Sequence, residues 1–157
     1  MLRILIVCTG NTCRSPMAEA LLSAKVQAAG LDDKIKILSA GLAAFGESAA
    51  SLHAREAMAR RGLDLGGHRS RQLSPEFLKA ADVVLTMTAA HKRAVASMAP
   101  AAAKVFTLAE YAGEDGDVLD PFGGDAAIYE SCAVELERLL GKIWDKIAAE
   151  AGKCDKM

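Results

Sequence analysis

Residues 2–8, "LRILIVC", form a short apolar run rich in β-branched side chains that stops abruptly at "TGNT". A run of that length bounded by turn formers reads as a buried strand. The period then changes. In "SPMAEALLSAKVQAAG" the apolar residues recur at helical spacing, with Ser15 placed as cap, Pro16 in the first turn and Gly30 at the exit. "KIKILSAG" alternates as a second strand, and "ASLHAREAMARRGL" gives a helix ended by Gly62. "LSPEFLKAA" predicts a short helix capped by Ser74, "DVVLTM" a third strand, "TAAHKRAVASMA" a helix stopped by Pro100, and "KVFTL" a fourth strand.

"AEYAGEDGDVLDPFGGD", residues 109–125, has little periodicity and many glycines and acids, so it is expected to be a long loop of the kind that carries function. From Ala126 onward, Ile128, Cys132, Leu136, Leu139, Leu140, Ile143, Trp144 and Ile147 recur every three or four residues, one apolar stripe on a terminal helix. Residues 150–157 are expected to fray. Strands that alternate with helices imply crossover connections. The fold expected over 1–157 is a single α/β domain, a three-layer sandwich with a central four-stranded parallel sheet and helices on both faces.

Composition narrows the picture. The hydrophobic fraction is 52% but aromatics are only 4%, so the core is aliphatic and alanine-rich. Net charge is -1 and the basic residues form no block, which argues against nucleic acid or a membrane surface as partner. The apolar start is too short for a signal sequence or a span, and a cytoplasmic location is expected. Cys8, Cys13, Cys132 and Cys154 lack the paired spacing of a zinc site. Cys132 and Cys154 read as a helix-face and a tail residue.

The chemistry is concentrated after the first strand. In a doubly wound sheet, ligands bind beyond the carboxyl ends of the strands. Between Cys8 and Arg14 stand Gly10 and Asn11, residues that tolerate left-handed backbone, so the loop can curl its N–H groups inward as an anion nest backed by a helix N-terminus. Arg14 can close such a nest with a bidentate fork on a phosphoryl group. The same surroundings favour the thiolate form of a cysteine, which makes Cys8 a candidate nucleophile. Ser15 can donate a hydroxyl hydrogen to that sulfur, or cap the helix. No Walker lysine follows.

The string "VCTGNTCRSPMAEA" closely resembles the signature of the low-molecular-weight protein tyrosine phosphatase family, and "SAG" at 39–41, "DVVLTM" at 82–87 and "DVLDPFGG" at 117–124 extend the resemblance over nearly the whole chain. It implies a flavodoxin-like fold of the phosphotyrosine phosphatase I type and a phosphocysteine intermediate. Catalysis would fall to Cys8, Arg14 and Asp120, the last as general acid. The phosphate loop would comprise Thr9, Gly10, Asn11, Thr12, Cys13 and Ser15, braced by Ser39 and His68. Cys13 would shield Cys8 by a reversible disulfide; a buried structural thiol is the alternative. Independently, an acid on a mobile loop facing the nest suits protonation of a leaving group. The acids around Asp120, namely Glu114, Asp115, Asp117 and Asp125, do not follow an EF-hand order, and most are expected to be solvated. His53 and His91, in predicted helices without paired ligands, read as surface or packing residues.

Phosphotyrosine enzymes of the family usually carry an aliphatic residue before the second loop cysteine. Thr12, with "DPFGG", looks instead like the protein arginine phosphatase branch. A hydroxyl orients a planar guanidino group, and Phe122 offers a stacking wall. Phosphoarginine is therefore expected as the substrate group and phosphotyrosine as the second choice, on phosphorylated protein partners, with inorganic phosphate as product and competitor. No metal or other cofactor is expected. Arsenate reduction with the same loop, and a non-catalytic phosphate-binding module, are the alternatives.

Overall fold

The computed structural model describes residues 1–98 and 104–155. Among them are four strands, β1 (Leu2–Cys8), β2 (Ile35–Gly41), β3 (Val83–Thr86) and β4 (Val105–Thr107). Six helices accompany them: α1 (Arg14–Ala28), α2 (Leu52–Ala59), α3 (Pro75–Ala80), α4 (Ala89–Met98), α5 (Leu108–Tyr111) and α6 (Ala126–Asp155). All strand pairs are parallel and the order is β2-β1-β3-β4.

The side-chain period of two divides the strands between two cores. Leu2, Ile4, Ile6 and Cys8 face a layer built by α1, α2, α5 and α6, whose Met17, Leu22, Met58, Tyr111, Leu136, Leu139 and Ile143 are buried there. Leu5, Val7, Val84 and Val105 face the opposite way, onto Leu78 of α3 and Val95 of α4. The expected three layers are present, each fully buried aliphatic side chain contributing about 1.5–3 kcal/mol by leaving water. The chain leaves β1 toward β2 on one side and returns to β3 on the other. The crevice at that switch point opens at the carboxyl end of β1, where Cys8 stands.

Several local expectations change. Helix α1 begins at Arg14 with Cys13 in the cap position, so Ser15 lies inside the first turn and does not cap it. Ser74 does cap α3, accepting from Phe77 N–H at 3.3 Å. The segment after β4 does not begin as a loop: Thr107 and Glu110 form a capping box that winds Leu108–Tyr111 into α5, and the loop proper spans 112–125. Helix α6 is described as far as Asp155, with Ala151 buried, and the end of the expected 150–157 tail, residues 156 and 157, lies outside the described residues. Ile128 falls off the predicted stripe and is exposed, and Tyr129 takes the inward position. Pro100 lies outside the described residues. No helix among the described residues is long and apolar enough to cross a membrane.

Candidate active site

Cys8, the last residue of β1, and Arg14, the first of α1, are held at the two ends of the 9–13 loop. Asn11 at its crest takes φ 57°, the left-handed conformation that asparagine tolerates. The N–H groups of Gly10 through Ser15 have no acceptor among the described residues, so their donors are uncommitted. Gly41, at the end of β2, is dictated by this loop. A Cβ there would sit 2.7 Å from the Thr9 carbonyl oxygen and 3.0 Å from Asn11 N.

The Asn11 side chain fixes the polarity of the network. Its Oδ1 accepts from Arg71 N–H at 3.0 Å, and because a backbone N–H only donates, Nδ2 must face the other way. Nδ2 donates to Ser15 Oγ at 2.8 Å and to Ser39 Oγ at 2.9 Å. Ser15, having accepted, has its own hydrogen left for Cys8 Sγ at 2.9 Å. His68 Nε2 donates to the Asn11 carbonyl oxygen at 2.8 Å. Ser39 and His68 thus sit where bracing residues were expected.

Arg14 is only 4% exposed. Its Nη1 donates to Val118 O at 2.9 Å, its Nη2 lies 3.6 Å from Asp120 Oδ2, and its Nε is buried without a partner. A desolvated cation with a spare donor is costly until an anion completes its shell. The cavity beside it has a volume of about 240 Å³ and is lined by Cys8, Thr9, Gly10, Thr12, Cys13, Arg14, Asp120 and Phe122. Residues from two ends of the sequence therefore meet in one bowl. Asp120 is half exposed, and its Oδ1 accepts from Phe122 N–H at 3.0 Å. Phe122 is 79% exposed at the rim.

The acids of the 112–125 loop are mostly exposed, as expected, but several of them are engaged. Glu114 is clamped by Arg138 and Lys142, whose bonds bring its carboxyl down to about 2. Asp117 Oδ1 accepts from Ala89 N–H at 2.9 Å, Asp125 Oδ1 from Ile128 N–H at 3.0 Å, and Val118 N–H reaches Met87 O. The loop is tied down on both sides of Asp120.

Two neighbours escaped the sequence reading. Tyr129 places its hydroxyl 3.2 Å from Cys13 Sγ, a buried contact; burial, then that bond, pushes the phenol up to about 12. Cys8 and Cys13 are free thiols here. His91, read as a surface or packing residue, is 8% exposed and bonds Thr9 Oγ1 through Nε2 at 2.9 Å. Neither residue has a motif around it. Each arrives by topology, across 116 and 82 positions.

Burial first, and then the Arg14 charge, lower the His91 pKa below its ordinary 6.5. The sign follows from linkage: below about 6.5 an unfolded chain takes up a proton that the folded ring refuses, so stability falls as pH drops toward the folded value. Thermal melting between pH 7 and 5 is expected to lose less in His91→Gln than in the wild type. Equal losses would assign the acid sensitivity to other groups.

Residues 3–153 match the family described as low molecular weight phosphotyrosine protein phosphatase. A protein-arginine-phosphatase from Geobacillus stearothermophilus is 45% identical over 150 residues, covering 94% of this chain and 97% of the relative. Among solved structures, a mutant of YwlE arginine phosphatase with a phosphorylated active-site serine superimposes with a TM-score of 0.89 at 44% identity, over 94% of this chain and 96% of the other. A low molecular weight protein tyrosine phosphatase from T. tengcongensis gives the same score at 44% identity, over 93% and 99%.

Proposed function

The chain belongs to the low molecular weight phosphotyrosine protein phosphatase family, and on that premise we propose that it hydrolyses phosphorylated protein side chains through a phosphocysteine, phosphoarginine being the favoured group. The observation that carries this reading is the convergence of Cys8, Arg14 and Asp120 on one cavity, with Ser15 Oγ aimed at the sulfur from 2.9 Å.

The Cys8 thiolate attacks phosphorus in line. An S–P bond forms as the P–N bond breaks, and Asp120 delivers its proton to the departing guanidino nitrogen. Arg14 and the uncommitted loop N–H groups meet the charge on the phosphoryl oxygens. Water then attacks the phosphocysteine and gives its proton to the Asp120 carboxylate. The sulfur leaves as a thiolate, received by the Ser15 hydroxyl hydrogen, and inorganic phosphate departs. No step calls on a metal. A serine in the nucleophile position of a relative that carries phosphate fits a covalent route.

The alternatives are less well supported. A thiol relay for arsenate would draw on Cys132, but burial pushes that thiol up to about 12, and it lies under the loop near Leu119 O at 3.9 Å. A non-catalytic phosphate binder has no use for Asp120. The free thiols suit a reducing compartment, and we place the enzyme in the cytoplasm.

The arginine preference rests on Thr12, which lines the cavity with Phe122, and on the likeness to an arginine phosphatase. A side-by-side kinetic comparison on phosphoarginine and phosphotyrosine peptides tests it. Thr12→Ile is expected to lower kcat/KM on phosphoarginine by roughly tenfold, the cost of one lost polar contact, and to raise it or leave it unchanged on phosphotyrosine. Equal losses on both would reduce Thr12 to loop support.

A further inference from the structure

His91 occupies an unusual place for a packing residue. It stands in the first turn of α4, a helix that carries none of the residues assigned above, yet its ring reaches the phosphate loop one residue beyond Cys8, at Thr9 Oγ1. Its own N–H is held by Thr88 Oγ1 at 3.0 Å, so the ring is anchored from the backbone side. In the same turn, Ala89 N–H binds Asp117 Oδ1 of the acid-bearing loop at 2.9 Å, and the residue before that turn's cap, Met87, accepts from Val118 N–H. One turn of helix therefore grips both loops that must meet at phosphorus.

We propose that His91 is a positioning residue for the phosphatase reaction: through Nε2 it fixes the Thr9 side of the phosphate loop, while the adjoining Asp117 contact fixes the distance of Asp120 from Cys8. The proposal rests on the reading that this loop holds the transferring phosphoryl group.

Thr9 needs such a tether. It is exposed at the rim, and apart from the carbonyl bond to Ala43 N at 2.8 Å its only side-chain partner among the described residues is His91. Without the imidazole the hydroxyl is free to rotate and the Cys8–Gly10 segment loses one wall. Small displacements of groups that align a nucleophile with its target cost rate well out of proportion to stability. The ring is also suited to stay neutral. Its Nδ1 is buried without an acceptor, so a second N–H has nowhere to bond, and a positive ring would face Arg14 of α1. Asp117 and Asp120 of the 112–125 loop are the opposing charges, and burial together with Arg14 prevails over them.

A double-mutant cycle tests the tether, with nitrophenyl phosphate as substrate and inorganic phosphate as competitive inhibitor. His91→Ala and Thr9→Val are each expected to lower kcat/KM by roughly tenfold. The double variant should be no worse than the poorer single one, because both remove the same contact. His91→Gln, whose amide nitrogen reaches the Nε2 position, should restore activity to within about threefold of wild type. Losses that multiply in the double variant, or a Gln variant as poor as Ala, would overturn the proposal in favour of simple packing. If His91→Ala does not fold, Thr9→Val alone and combined with His91→Gln retain the comparison: the amide should lose its benefit once the hydroxyl is gone. A wild-type protein without phosphatase activity would instead sink the functional reading itself, whereas an active wild type with unimpaired variants sinks only the role of His91.

Discussion

Cys8→Ser is expected to stop turnover while leaving the phosphate bowl intact. Only sulfur is exchanged for oxygen, so the uncommitted loop N–H groups, the Arg14 guanidinium and the Asn11 network keep their places. The hydroxyl holds its proton at neutral pH, and Ser15, itself a neutral hydroxyl, is too weak a base to take that proton. Losing the nucleophile of a cooperating catalytic set costs up to about 10⁶ in kcat. Any attack that does occur should end in a stable phosphoserine, because an alkoxide leaves far less readily than a thiolate. Three measurements separate the outcomes. Steady-state turnover should be near zero, titration with inorganic phosphate should give an affinity close to that of wild type, and mass spectrometry after prolonged incubation with substrate should find at most one added phosphoryl group, at position 8. Turnover close to wild type would end the phosphocysteine mechanism. Loss of phosphate affinity along with turnover would mean that the sulfur holds the loop together rather than attacks.

The parts of the fold legible in the sequence are those in which one local signal dominates. The runs 2–8, 35–41 and 83–86 are short and β-branched, and each is followed by helical spacing, so the parallel sheet follows from alternation alone. The grouping of Cys8, Arg14 and Asp120 was legible for different reasons: the first two flank a single turn at the end of β1, whereas Asp120 was drawn in by resemblance, and the cavity they share is a fact of the fold. Signals that compete locally were misread. "TLAE" carries a capping box, Thr107 to Glu110, yet the glycines and acids beyond it made the whole segment look like loop. Ser15 matched a cap before Pro16, but Asn11 and Cys8 claim its hydroxyl, and the helix starts two residues earlier than a Ser15 cap implies. Acids such as Glu114 and Asp117 looked idle because their partners, Arg138 and Ala89 N–H, lie 24 and 28 positions away. His91 and Tyr129 stood alone in the sequence for the same reason: a partner supplied by topology leaves no mark on its neighbours.

Asp120→Asn is expected to damage activity in proportion to the basicity of the leaving group. The exchange is conservative in shape. Oδ1 still accepts from Phe122 N–H, so the loop keeps its turn, and the oxygen exchanged for an amide nitrogen is Oδ2, the one turned toward Arg14. A guanidine leaves with a conjugate-acid pKa of about 12.5–13.8 and a tyrosine phenol with about 10, so the arginine product gains most from a delivered proton. Nitrophenolate, a better leaving group than either, gains least. General acid catalysis contributes about 10²–10⁴ in rate. The loss should approach the upper figure on phosphoarginine, fall below it on phosphotyrosine and be smallest on nitrophenyl phosphate, provided cleavage limits each rate. A contact between Asp120 and the guanidino group would push the first two in the same order, which makes the step from phosphotyrosine to nitrophenyl phosphate the cleaner comparison. The 3.6 Å approach of Asp120 to Arg14 supplies a control. A carboxylate there competes with phosphate for the guanidinium, so the Asn variant should bind inorganic phosphate as well as wild type or better. Single-turnover rates on the three substrates across pH, read beside that affinity, test the assignment. A uniform rate loss with weaker phosphate binding would make Asp120 a structural partner of Arg14, and the proton donor would have to come from elsewhere in the 112–125 loop.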